Sequence, residues 1–106
     1  MSRYAYAMVI VAGHLHVPPQ ERDAWVAAHH DILRQVRSEP GCVDLAITAD
    51  PLDEGRVNLL ELWRSEEHLA AWRTIAEPPP KPPILSTTVL RHRISASAPP
   101  FDLPRE

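Results

Sequence analysis

Cysteine occurs once in the 106 residues, as Cys42, so the chain can build neither an internal disulfide framework nor a cysteine-ligated metal site. Basic residues are also scarce. Lys and Arg number 11 against 14 Asp and Glu, the net charge is −3, and the densest basic cluster is only Arg91-His92-Arg93. Phosphate binding needs a clustered basic surface, so nucleic acid is not an expected partner. The longest apolar run, Ala7 to Gly13, is far below the roughly 20 residues that cross a bilayer. It carries neither a basic leader nor a small-residue cleavage site, and a cytoplasmic protein without a membrane partner is expected. The sequence contains no G-x-G-x-x-G, no P-loop and no G-x-S-x-G. Any redox chemistry would then use a borrowed cofactor or none. Aromatic residues are only 6%, yet Trp supplies 3 of them against 2 Tyr and 1 Phe, which makes each Trp informative.

What remains is an ordinary globular composition, 44% hydrophobic and 24% charged, of a size for one domain. Met8 to Val17 alternates as a strand, with Val9, Val11, Leu15 and Val17 on one face with Gly13. Met8, Ile10, Ala12, His14 and His16 share the other face. Both faces begin apolar, so both are expected to be covered. Gln20 to Ser38 reads as one helix, with acidic residues in its first turn and Trp25, His29, Ile32, Leu33 and Val36 on one stripe. Pro40-Gly41 should end it, Gly41 supplying a left-handed cap. Cys42 to Ala49 is a second strand, with Val43, Leu45 and Ile47 on one face, and Arg56 to Arg64 returns as a third after the turn at residues 50–55. Ser65 caps a second helix with Leu69, Trp72, Ile75 and Ala76 inward, ended by the proline run Pro78 to Pro83. Ser86 to Ser95 makes a fourth strand, and Ala98 to Glu106 a proline-bearing tail. The order βαββαβ is the split arrangement of a ferredoxin-like α+β fold, a four-stranded antiparallel sheet with two helices on one face. A second copy of the chain is the simplest cover for the other face.

Five segments in this order are similar to one family. They are Val9-Ile10-Val11-Ala12-Gly13, Arg22-Asp23-Ala24-Trp25, Glu39-Pro40-Gly41-Cys42, Ala49-Asp50-Pro51-Leu52-Asp53, and Glu61-Leu62-Trp63-Arg64-Ser65-Glu66-Glu67-His68-Leu69. Together they resemble the antibiotic biosynthesis monooxygenase domain family from about Met8 to Ile94. The resemblance implies a homodimer forming a dimeric α+β barrel, with the domain over residues 4–96 and the tail over 97–106. It also implies a pocket between sheet and helices in each subunit. Members of the family include cofactor-independent monooxygenases that turn phenols or anthrones into quinones, haem degraders and proteins without assigned activity. In the quinone formers, a Trp matching Trp63 lines the pocket, which would bring Leu59 and Glu61 to it on the same strand face. Those enzymes carry an Asn where this chain has Leu59 and a Tyr where it has Leu69; Asn58 is one residue off. Of the three features of the haem degraders, Trp72 matches one, while the strand position of the Asn falls near Gly13 and that of the iron-ligating His in the Pro80 to Pro83 stretch.

The expected catalytic pair is His29, on the helical wall, and Glu61, on the sheet wall: an imidazole and a carboxylate across an apolar cavity can move a proton. The alternative for His29 is a satisfied core residue, and for Trp63 a packing role. Trp25 and Trp72 would shape the cavity with Trp63 and Leu59, and whichever of Arg91 and His92 faces the helices would anchor an oxyanion. His14 and His16, on the opposite face, read as interface or edge residues and Cys42 as a small buried hydrophobe, so no metal and no resident cofactor are expected. The substrate expected is a small aromatic or polyketide phenol or anthrone, with O2. The alternatives are a non-catalytic dimeric ligand-binding protein of the same fold and a non-redox isomerase or cyclase.

Overall fold

The computed structural model describes residues 7–80 and 83–106. The first residues of the domain expected from residue 4, and two of the proline-run positions, lie outside them. The elements are β1 (Val9–His16), a 3-10 turn (Pro19–Glu21), α1 (Arg22–Ala28), α2 (His30–Arg37), β2 (Cys42–Ala49), β3 (Arg56–Trp63), α3 (Glu66–Ile75), β4 (Ser86–Thr87) and β5 (Leu90–Arg93). The strands form one antiparallel sheet in the order β2-β3-β1, with β4 and β5 both on the free side of β1. This is the expected ferredoxin-like α+β arrangement. α1 and α2 pack on β2, α1 and α3 on β3, all on one face.

Register fixes which side chains share that face. Val9, Val11 and Leu15 point to the helices from β1, opposite Trp63, Glu61 and Val57 of β3. On β2, Leu45 and Ile47 lie beside Glu61 and Leu59. Val9, Val11, Val36, Leu45, Trp63, Leu69 and Trp72 form one buried cluster, and Leu15, Val17, Trp25 and Val57 a second. The periodic pattern of β1 therefore holds at every inward position.

Five local features differ from the sequence expectations. The first helix breaks at His29 into α1 and α2. Strand β2 slips between Cys42 and Asp44, so Val43 turns outward and is exposed. Gly41 takes no left-handed conformation, since the one positive φ among the described residues is at Gly13. Glycine is needed there because a Cβ would strike the His68 side chain. The expected fourth strand is divided into β4 and β5, in the same register on both sides: Leu15 faces Thr87 and Ala12 faces Leu90. Between them the edge backbone closes on Gly13, whose φ is 147° and whose missing Cβ would lie 2.8 Å from Val89 Cα. Ile75, expected inward, is also exposed at the end of α3.

Two polar fastenings hold the hairpin end. Arg22 Nη1 donates to the carbonyls of Asp50, Asp53 and Arg56 at 3.2, 2.9 and 2.9 Å, tying the start of α1 to the β2-β3 turn. The Asp50 carboxylate accepts from Asn58 Nδ2 at 3.0 Å and from the amides of Asp53 and Leu52 at 2.9 and 3.0 Å. These bonds, the Asn58 amide first, pull its pKa down to about 2 from 3.8. A carboxyl depressed on folding stabilises the fold above its unfolded pKa and loses that contribution as pH falls towards the folded one. Thermal stability is expected to fall between about pH 4 and pH 2 partly through this group, and Asp50→Asn to flatten that part of the profile. Melting temperatures of both proteins across that window check it.

Candidate functional site

Between the sheet and the helices lies a cavity of about 340 Å³, at the small end of the roughly 300–1,000 Å³ of ligand sites. Its floor is the sheet, where Leu15, Val57, Leu59 and Ile47 surround Glu61. Its roof is helical, with Trp25, His29, Ile32 and Leu33 from the first helical segment and Trp72 from α3. Pro78, Ile84, Thr87 and Val89 line it from the α3-β4 connection and the edge strand. The walls are apolar except for a few convergent polar groups, which is the composition of a small-molecule site.

His29 owes its position to the break it creates. Its amide bonds to Val26 O at 3.1 Å, one residue short of the regular α-helical partner. The Trp25 carbonyl so released accepts instead from the His29 ring, Nδ1 standing 2.7 Å away. A carbonyl only accepts, so Nδ1 carries the proton, and in the neutral ring Nε2 is the basic nitrogen. The imidazole is buried and stacks on the Trp25 indole, centroids 3.9 Å apart and planes at 27°. A side chain inserted into the i→i−4 ladder is a recognised cause of a helix kink. The sequence stripe places His29 inward but does not reveal this bond.

Glu61 is half-buried on the opposite wall, and its Oε1 accepts from Trp63 Nε1 at 3.0 Å. Trp63 is 0% exposed and lies behind the cavity, its ring 6.5 Å from that of Trp72 at an interplanar angle of 26°. It meets the site through Glu61, whereas Trp72 lines the cavity directly. Of the expected residues, the fold therefore brings Trp25, His29, Leu59, Glu61 and Trp72 together around one space.

Arg91 and His92 stand elsewhere. Arg91 pairs with Val11 and shares the helix-facing side; His92 pairs with Ile10 on the far side. Arg91 lies in the same cross-strand row as Glu61 but beyond Val11, two strand spacings or about 10 Å away. Its Nε is 4.0 Å from Glu66 at the start of α3, and Arg93 holds the same carboxylate at 2.9 Å. Neither Arg91 nor His92 lines the cavity, so the oxyanion anchor expected from them is not supplied by this geometry. Thr87 and Val89, four and two residues before Arg91 on the edge, occupy that wall instead. The alternation alone could have placed them there, had the docking point of the edge strand been legible. His68 is fastened to the cap of α3, its amide donating to Ser65 Oγ and its Nδ1 2.7 Å from the same oxygen. His14 and His16 go to separate partners, Thr88 Oγ1 at 3.2 Å and Asp53 at 2.9 Å. No cluster of three or more metal-ligating side chains occurs among the described residues.

Residues 8–77 match the model of a protein family described as antibiotic biosynthesis monooxygenase. An uncharacterized protein of Synechocystis is 28% identical over 61 residues, 58% of this chain; the match spans only 42% of that longer protein. Among solved structures, a candidate antibiotic biosynthesis monooxygenase from Chloroflexus aurantiacus superposes with a TM-score of 0.65 at 20% identity, covering 88% of this chain and 98% of that one. A haem-degrading protein of Mycobacterium tuberculosis gives 0.62 at 17% identity over 88% and 97%. At such identities these structures share the fold. No helix among the described residues is long and apolar enough to cross a membrane.

Proposed function

The chain belongs to the antibiotic biosynthesis monooxygenase family, and from that premise we propose that it oxidises a small phenol- or anthrone-like substrate with O2 and no resident cofactor. The observation that carries this reading is the pairing of His29 and Glu61 on opposite walls of one apolar cavity. For an anthrone the chemistry balances without another redox partner. His29 Nε2 takes a proton from the ring methylene, leaving a stabilised carbanion. The carbanion passes electrons to O2 and forms the new C–O bond, and return of the proton gives a hydroperoxide. Loss of the second C–H proton with O–O cleavage yields the quinone carbonyl and water. Glu61 holds the substrate's donor and relays protons at the floor, while Trp25, Trp72 and Leu59 exclude water from the carbanion.

Incubation of the purified protein with a model anthrone under air and under nitrogen tests this. Quinone is expected to form only under air, one O2 consumed per quinone, at a rate proportional to protein. Quinone formation no faster than in protein-free buffer would contradict it.

One observation favours the second reading, a ligand-binding protein without catalysis. Leu59 lines the cavity and Leu69 is buried in the core, where the quinone formers carry Asn and Tyr. Haem degradation has less support: the strand position of its Asn falls near Gly13, and at Gly13 itself the Val89 backbone leaves no room for a side chain.

The second copy expected from the sequence would lie on the far sheet face. Leu60 and Leu90, exposed by 37% and 62%, flank Ala12 there, with Ile10 and Leu62 in the next row. A charge in this patch opposes burial. Leu60→Glu is expected to convert a dimer into a folded monomer, read by sedimentation; a dimer of unchanged affinity would place the interface elsewhere.

A further inference from the structure

The cavity's one carboxylate is not free to turn. Trp63 Nε1 donates to Glu61 Oε1 at 3.0 Å, and the indole that makes this bond is fully buried between Val9 and Cys42, which face it from the neighbouring strands. The donor cannot follow the carboxylate if the carboxylate rotates, so the bond holds one orientation, with Oε1 occupied and Oε2 left for a ligand. An acceptor fixed in an apolar enclosure discriminates sharply: a ligand that presents an O–H or N–H gains a charge-assisted bond, one lacking it leaves the carboxylate desolvated, and an anion meets like charge at short range.

We infer that Glu61, positioned by Trp63, makes the cavity selective for apolar molecules carrying a hydrogen-bond donor and directs it against carboxylates of the same size. Glu61 is the contacting residue and Trp63 a positioning residue. The ligand class is thus an O–H or N–H compound rather than a carboxylate, and an acidic precursor would have to be decarboxylated or masked as an ester or amide before it entered. The inference rests on the cavity being the ligand site, as proposed above, and is independent of oxygen chemistry.

Equilibrium dialysis of the intact protein under nitrogen against 2-naphthol, 2-methoxynaphthalene and 2-naphthoate tests it, since the three share a ring system and differ in the polar group. The wild type is expected to bind 2-naphthol about tenfold or more tighter than 2-methoxynaphthalene, and 2-naphthoate weakest. Glu61→Gln, which keeps shape and removes the charge, is expected to raise naphthoate affinity about tenfold or more. Trp63→Phe, which frees the carboxylate to turn, is expected to reduce the naphthol preference several-fold, changing 2-naphthol affinity more than 2-methoxynaphthalene affinity, a split that a general loss of packing would not produce. Equal affinities for naphthol and naphthoate in the wild type, an unmoved naphthoate affinity in Glu61→Gln, a uniform change across all three ligands in Trp63→Phe, or no saturable binding of any probe would each overturn it. Selective binding without oxygen consumption would uphold the selectivity and overturn the oxygenase reading; oxygen consumption without selectivity would do the reverse.

Discussion

Trp63→Ala is expected to lower stability by about 3–5 kcal/mol, the range for deleting a buried large aromatic side chain. For a domain of this size that corresponds to a fall in melting temperature of about 12 °C or more. The expectation follows from position. Trp63 is among the largest side chains with no exposure, it closes the row formed by Val9 and Cys42, and it stacks on Trp72, itself at the base of α3. Removing it opens a void beneath the helix and leaves Glu61 without its indole donor. Chemical denaturation of the two proteins, compared at equal slope, gives the difference directly. Trp63→Phe keeps most of the volume and is expected to lose less than half as much.

The second large effect is on His29, where two roles can be separated. The ring's Nδ1–H satisfies the buried Trp25 carbonyl, and its Nε2 is the base in the proposed reaction. Asparagine places an amide nitrogen at the same bond distance from Cβ as Nδ1, so His29→Asn can retain the helix bond while removing the base. His29→Ala removes both and leaves a buried carbonyl unsatisfied, a loss of about 1–3 kcal/mol. The asparagine variant is therefore expected to melt near the wild type yet lose turnover by about a hundredfold or more, the usual contribution of a positioned base. The alanine variant is expected to lose both stability and turnover. Parallel melting curves and initial rates for the pair separate the roles.

Much of this arrangement was legible in the sequence where a local pattern decides it. Alternation in β1 gave its inward face, and the acidic first turn with Ser65 gave the start of α3, whose hydroxyl accepts from the His68 amide. The stripe of the first helix put Trp25 and His29 on its inward face; that this face, with Leu59 and Glu61 across from it, lines a cavity is what the family resemblance implied. The remainder depends on contacts between distant segments. The break at His29 needs its ring to reach the Trp25 carbonyl, a rotamer choice that composition does not express. The interruption of the edge strand arises from the close approach of Val89 to Gly13. Choosing between Arg91 and His92 required the register against Val11 and Ile10, and even the inward one is drawn off to Glu66. Trp63 as a pocket wall is what the family resemblance implied; the depth at which it sits behind the cavity is set by how α3 lies on the sheet.

In the proposed reaction the His29-Glu61 cavity carries out oxygenation with electrons drawn from its own substrate. Oxygen-electrode traces with a model anthrone, comparing wild type and His29→Asn after dialysis against a chelator and with no flavin or haem added, test it most directly. Protein-dependent oxygen consumption is expected in the wild type, with a rate about a hundredfold or more lower in the variant at comparable stability. A His29→Asn protein that consumes oxygen as fast as the wild type would contradict it.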